Sequence, residues 1–94
     1  MSVTITHDHA QNRFEIYVGS EVAGHSEYLE SDGIRTFHHT VTLPKFRGRG
    51  LAAALTEYAL DDTRTQGLRL VPACWFVRDF IEATGDRYSD LVLE

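Results

Sequence analysis

The residues with the most chemical content form a run of cations and glycines, Lys45-Phe46-Arg47-Gly48-Arg49-Gly50-Leu51-Ala52. It falls where a β-prone run ends and a helical one begins. The helix opens on Leu51-Ala52-Ala53-Ala54, with no Ser, Thr or Asp to cap its free N–H groups. No acidic residue in the first turn answers the positive end of the helix dipole, and Lys45, Arg47 and Arg49 add cations beside it. An anion from outside resolves both problems. Gly48 and Gly50 let a phosphate come close to the backbone, and the free N–H groups can point at it. The run reads as a phosphate or pyrophosphate cradle, with a plain strand-to-helix turn as the alternative.

Two further side chains are candidates for chemistry. Cys74, the chain's one cysteine, lies between a strand and a helix beginning at Trp75. A helix N-terminus favours negative charge on a thiol, which suits a nucleophile or a proton donor; a small buried side chain is the plainer use. His39 is a candidate proton acceptor, because an imidazole titrates near neutral pH; a buried, hydrogen-bonded histidine is the plainer reading. Its neighbour His38 points to the opposite sheet face, so at most one of the two meets a cleft. His7-Asp8-His9 reads as a polar turn, since no further ligand is identifiable nearby to complete a metal site. His25 offers nothing beyond a strand position.

These residues need elements to position them. The first half of the chain is β-prone: Val3 to Thr6, Arg13 to Val18, Glu21 to Leu29 and Ile34 to Leu43 are separated by turn signals at His7–Asn12, Gly19-Ser20 and Ser31-Asp32-Gly33. Such spacing predicts an antiparallel meander of three or four strands. Gly50 to Gln66 has helical periodicity, with Leu51, Leu55, Tyr58 and Ala59 on one stripe and Gly67 as terminator. Leu68 to Ala73 is a short strand whose Pro72 suits an edge or a strand end. Trp75 to Ala83 is a second helix, with Phe76, Phe80 and Ala83 on one face, ended by Gly85. Tyr88 to Val92 adds an apolar anchor. Phe14, Tyr17, Phe37 and Tyr58 suit a core, and Trp75 suits either packing or the mouth of an acceptor site. Glu27, Glu30, Asp32, Asp61 and Asp62 read as solvated faces, with an acidic surface that steers an amine as the sharper alternative. The fold class is α/β or α+β around one mixed sheet.

Length and charge narrow the function. Ninety-four residues, 43% of them hydrophobic, make one domain over 1–94 and leave no room for a second lobe. A net charge of -5 argues against a nucleic-acid partner. One cysteine forms no disulfide framework, and no metal site is expected. Residues 1–10 lack the pattern of a signal peptide, and no apolar run would cross a bilayer, so no membrane association and a cytoplasmic location are expected.

Among known phosphate loops, a Walker motif needs Gly-Lys-Ser/Thr, which Gly50-Leu51-Ala52 lacks. A dinucleotide loop needs an acidic residue about 20 positions on, where Leu68-Arg69-Leu70-Val71 stands. Arg47-Gly48-Arg49-Gly50-Leu51-Ala52 instead resembles the R/Q-x-x-G-x-G/A signature of the Gcn5-related N-acetyltransferases. His39-Thr40, Val71-Pro72-x-Cys74 and Tyr88-x-Asp90-Leu91-Val92 are similar to the minimal branch of that superfamily, of roughly 90–100 residues, so the resemblance spans Ile34 to Val92.

The resemblance implies an N-terminal meander followed by strand, helix, strand, helix. It implies a sheet splayed between two central parallel strands, ending near Leu43 and near Ala73. It implies acetyl-coenzyme A as co-substrate, with pyrophosphate on the loop from Arg47 through Gly48, Arg49, Gly50 and Leu51 to Ala52. Pantetheine would bond to the backbone of Val41, Thr42 and Leu43. Cys74 would then lie near the thioester, as nucleophile or acid, with His39 as the second catalytic candidate. The expected activity is acetyl transfer to a primary amine, either a small amine or a protein lysine. Members of this branch often carry a carboxylate after His-Thr, where this chain has Val41. That departure favours the rival expectation, a non-catalytic binding module for coenzyme A or acyl-coenzyme A. An interaction domain whose glycine loop is merely a turn is a third.

Overall fold

Alternation along Arg13–Val18 (strand β2) buries Phe14, Ile16 and Val18. In the computed structural model, which describes residues 2–93, β2 is one of five strands lying side by side in chain order. Met1 and Glu94 lie outside the described residues. Strand β1 is Val3–Asp8, β3 is Glu21–Ser31, β4 is Ile34–Thr42 and β5 is Arg69–Pro72. The first four form an antiparallel meander, and β5 joins β4 in parallel. The β3–β4 turn places both Asp32 (φ 53°) and Gly33 (φ 77°) in the left-handed region, the hairpin geometry that an Asp-Gly pair favours.

Helix α1 (Leu51–Thr65) and helix α2 (Trp75–Ala83) share one hydrophobic cluster with one sheet face, where Leu55, Ala59, Leu60, Val77 and Ile81 meet Phe14, Ile16, Tyr28 and Phe37. Among the described residues no helix lies on the other face, which presents Arg13, Tyr17, His25, Glu27 and His39. The thickness, 19 Å along the shortest axis, is that of one sheet and one helical layer.

Two helical faces are rotated from the expected ones. On α1 the buried arc centres on Thr56, Ala59 and Thr63, leaving Tyr58 at its margin, 45% exposed. The threonines enter the core because their hydroxyls donate one turn back, to the carbonyls of Ala52 and Ala59. On α2 the buried pair is Val77 and Ile81, with Phe76 and Phe80 half-buried beside them and Ala83 exposed. The terminator of α1 is as expected: Gly67 (φ 73°) donates to Arg64 and Leu68 donates to Thr63, the paired bonds of a Schellman cap. Tyr88 and Leu91 are buried as the apolar anchor.

Several charges expected at the surface hold the interior. Arg35, 3% exposed, reaches Asp62 at 2.7 Å, Glu30 at 3.0 Å and Thr63 at 3.3 Å, and its guanidinium lies 4.8 Å from the centre of the Tyr28 ring. Asp61 accepts from the buried Tyr88 hydroxyl at 2.6 Å. His7, expected in a turn, lies in β1 with its ring stacked on Phe14, and its Nε2 is 2.5 Å from the Tyr28 hydroxyl.

Burial of His7, reinforced by the charge of His9, whose ring is 3.8 Å away, lowers its pKa below the usual 6.5. A histidine that stays neutral in the fold and protonates readily when unfolded contributes stability above pH 6.5. That contribution is lost as pH falls through the lowered folded value. Urea titrations from pH 7.5 downwards are therefore expected to show a loss of stability that begins near pH 6.5. A His7→Phe chain should lack that step.

Candidate functional site

Strands β4 and β5 stay together for four residue pairs, from Ile34–Arg69 to Phe37–Pro72. The Cys74 N–H then donates to the Phe37 carbonyl at 2.8 Å. Beyond that bond the strands part, because β5 ends at Pro72 while β4 runs on to Thr42. A cleft of about 550 Å³ opens between them, with His39, Thr40, Val41 and Thr42 along one wall and Cys74, Trp75 and Phe76 along the other. A hollow of about 280 Å³ over the glycine loop shares Thr42, Arg47, Ala52 and Phe76 with it. The two make one trough from the helix N-terminus to Cys74.

The loop is built to leave donors free. A 3₁₀ turn, Pro44–Phe46, drives the Phe46 side chain into the core and fixes the loop's entry. Gly48 (φ 81°) and Gly50 (φ 73°) then adopt left-handed conformations that side chains disfavour. Gly50 is the N-cap of α1, has no side chain to cap with, and takes the helix's first bond from Ala54 at 3.1 Å. The N–H groups of Leu51, Ala52 and Ala53 therefore lack partners within the helix. They lie at the hollow, where a phosphate would complete the uncapped end; the residues fit that group.

The three cations do not act together. Lys45 turns away to Glu21, with its Nζ 2.8 Å and 3.0 Å from the two carboxylate oxygens. Arg49 lies against Phe46 and lines a separate hollow with Val3, Val18 and Leu51. Arg47 lines both parts of the trough, its Nε donating to the Thr42 carbonyl at 3.3 Å. The expectation of three clustered cations is corrected to one, because Glu21 on the adjacent strand neutralises Lys45 and the loop's exit turns Arg49 outward.

Just past β4, Leu43 donates its N–H to Ala23 at 2.8 Å, so its backbone faces β3. The Val41 carbonyl also faces β3, towards Gly24. Alternation then turns the Thr42 backbone to the open edge, where Arg47 meets it. Of the three backbone positions expected to hold pantetheine, Thr42 is the one presented to the trough, and Val41 contributes its side chain.

Cys74 is the N-cap of α2, 8% exposed, and its Sγ lies 3.6 Å from Thr40 Oγ1. Trp75 beside it is 66% exposed, so packing, one of its two expected roles, is not what it does. His39 lines the cleft and is exposed, not buried, because it stands on the uncovered sheet face; His38 does not line it. His38 is the extra residue of a bulge, since Tyr28 pairs with Phe37 and Glu27 with His39. The bulge was not legible in the sequence, and neither was the role of His25. His25 lies directly across from Val41, and its Nε2 is 2.7 Å from Glu27 Oε2. Among the described residues no group of three or more His, Cys, Asp or Glu side chains is placed to hold a metal ion. No helix there is long and apolar enough to cross a membrane.

Known proteins share this fold. The family described as GCN5-related N-acetyl-transferase matches residues 13–91. A GCN5-like protein from Staphylococcus aureus superposes with a TM-score of 0.72 at 22% identity, covering 96% of this chain and 87% of that one. The ribosomal-protein-S18-alanine N-acetyltransferase of Escherichia coli gives 0.65 at 18% identity, over 78% of this chain and 50% of its own. A GNAT-family protein from Desulfovibrio desulfuricans gives 0.60 at 22% identity, over 78% and 53%. No curated protein sequence matches. At these identities the structures show a common fold, and the match over residues 13–91 carries the family.

Proposed function

This chain belongs to the GCN5-related N-acetyltransferase family, and we propose that it transfers acetyl from acetyl-coenzyme A to a primary amine. The supporting observation is the continuous trough that joins an uncapped, glycine-built helix N-terminus to a buried thiol. The N–H groups of Leu51 to Ala53, with Arg47 beside them, hold the pyrophosphate. The loop glycines Gly48 and Gly50 let it approach, and the Thr42 backbone bonds the pantetheine arm. Attack of the amine nitrogen on the thioester carbon forms the amide bond and breaks the carbon–sulfur bond. His39 takes the proton that the amine loses. Cys74, whose thiol already donates towards Thr40, gives its proton to the departing coenzyme A sulfur.

The chain contains one tryptophan, and it lines the cleft. Titration with acetyl-coenzyme A should therefore change Trp75 fluorescence saturably, and adding a primary amine should release free coenzyme A. No fluorescence change and no heat of binding at millimolar ligand would sink the proposal. Binding without release would favour the non-catalytic module.

Arg47→Glu is expected to weaken acetyl-coenzyme A binding by roughly 10- to 150-fold, about 1.5–3 kcal/mol for a lost charged hydrogen bond. Lys45→Met should leave affinity within about twofold, because an exposed ion pair of this kind is worth about 1 kcal/mol or less and Lys45 already faces Glu21. Equal losses in the two variants would mean that the cations act as a diffuse field instead.

A further inference from the structure

The cleft opens on both faces of the sheet, and the faces differ. Thr40 lies on the helical side, opposite the buried Ser26, and Cys74 sits against it. His39 and Val41 lie on the uncovered side, each with a direct partner on β3: Glu27 opposite His39 and His25 opposite Val41. Directly opposed residues share a face, so these four side chains form one square at the rim of the cleft. Across it, the rings of His25 and His39 are 6.3 Å apart, and His25 Nε2 is 2.7 Å from Glu27 Oε2.

We propose that the acceptor amine enters from the uncovered face, and that the His25–Glu27 pair receives, through His39, the proton the amine gives up. This rests on the acetyl-transfer reading above. The pair supplies the carboxylate that position 41 lacks, one strand over from where Val41 stands. His39 Nδ1 or Nε2 takes one proton from the arriving ammonium, which frees the lone pair that forms the carbon–nitrogen bond; the second proton, shed as the carbon–sulfur bond breaks, restores the Cys74 thiol. The imidazolium passes a proton, across the single water that a 6.3 Å ring separation admits, to His25 Nδ1. That nitrogen is bare, because the Nε2 proton is committed to Glu27, whose carboxylate then faces the imidazolium charge. His25 and Glu27 are positioning residues, since they act through His39. Besides Glu27 on its own strand, His25 faces His39 from β4 and Glu15 from β2; Glu15 is tied to Arg13 at 2.7 Å and to Tyr17 at 3.2 Å.

The test compares the unaltered chain with Glu27→Gln, Glu27→Asp and His25→Asn, using acetyl-coenzyme A and n-butylamine as probes. At pH 7, kcat with butylamine should fall about 10- to 100-fold in Glu27→Gln and His25→Asn, as for loss of part of a general base. KM for acetyl-coenzyme A should hold, and Glu27→Asp should recover part of the loss. The deficit should close as pH approaches about 10.4, the ionisation of an alkylammonium such as lysine's, where the amine arrives already deprotonated. A deficit that is constant with pH, no deficit at all, or an unaltered chain that binds acetyl-coenzyme A but never turns over butylamine overturns the relay. Absence of acetyl-coenzyme A binding, read from Trp75 emission, strikes the acetyl-transfer reading instead. Nitrogen-15 spectra of the His25 ring then decide the relay independently. A ring protonated at Nε2 and bare at Nδ1, lost in His25→Asn and altered in Glu27→Gln, supports it; a ring protonated at Nδ1 overturns it.

Discussion

Arg35→Ala is expected to remove about 3–5 kcal/mol of stability, the usual cost of taking one partner out of a buried ion pair. The guanidinium is 3% exposed and satisfies Glu30, Asp62 and Thr63 together. Its loss leaves the Asp62 carboxylate 3.8 Å from His7 Nδ1 with no strong partner, and it empties the space over the Tyr28 ring. Small domains hold about 5–15 kcal/mol in total, so the variant should be partly unfolded at 37 °C. Urea denaturation gives the measurement. Arg35→Met, which keeps apolar bulk at this buried position, should lose less than the alanine variant. Similar losses in the two would mean that the charge, not the packing, carries the effect.

Gly24→Ala is expected to cost about 3 kcal/mol, the upper part of the range for an overpacked site. A β-carbon there would stand 2.3 Å from the Val41 carbonyl oxygen, with the Thr42 α-carbon at 3.3 Å. Both neighbours are backbone, so no side chain can swing aside and β4 itself must move. Each kcal/mol lowers the melting temperature by about 4–8 °C in a domain of this size, so a fall of more than 10 °C is expected by calorimetry. The displaced stretch carries Thr42 and Arg47's acceptor, so acetyl-coenzyme A affinity should drop even in the folded fraction at low temperature. At Gly19 nothing lies within 4 Å, and the residue is glycine for its φ of 61° alone; there Gly19→Asn should be nearly neutral. A Gly24→Ala chain as stable as the parent would show that β4 yields easily at its parted edge.

Sequence and structure agree where local physics decides. Asp32-Gly33 fixed one hairpin, Gly67 ended α1, and Pro72 marked the point where the parallel pairing stops. The glycine loop was legible because its oddity is local: a helix without a cap or an acid at its start. What was not legible depends on partners distant along the chain. Lys45 reads as part of a cationic cluster until Glu21, on a neighbouring strand, is seen to hold it. Asp61 and Asp62 read as surface charges until Tyr88 and Arg35 arrive from 27 residues away in either direction. His25 looks idle because Val41 and His39 become its neighbours only through the register of β3 on β4.

His38 has a consequence out of proportion to its size. It is one unpaired residue in β4, and every side chain after it is half a period out of phase with those before it. Phe37 and Thr40 thereby face the helices, while His39 and Val41 face outward. Were the bulge ironed out, so that His38 paired with Glu27 in an unbroken ladder, every later residue would change faces, turning the imidazole inward towards the thiol and Thr40 outward. Which face each later side chain meets is thus set by whether one residue pairs or stands out of the ladder, as a reading frame is set by a single position, more than by the identity of any of them.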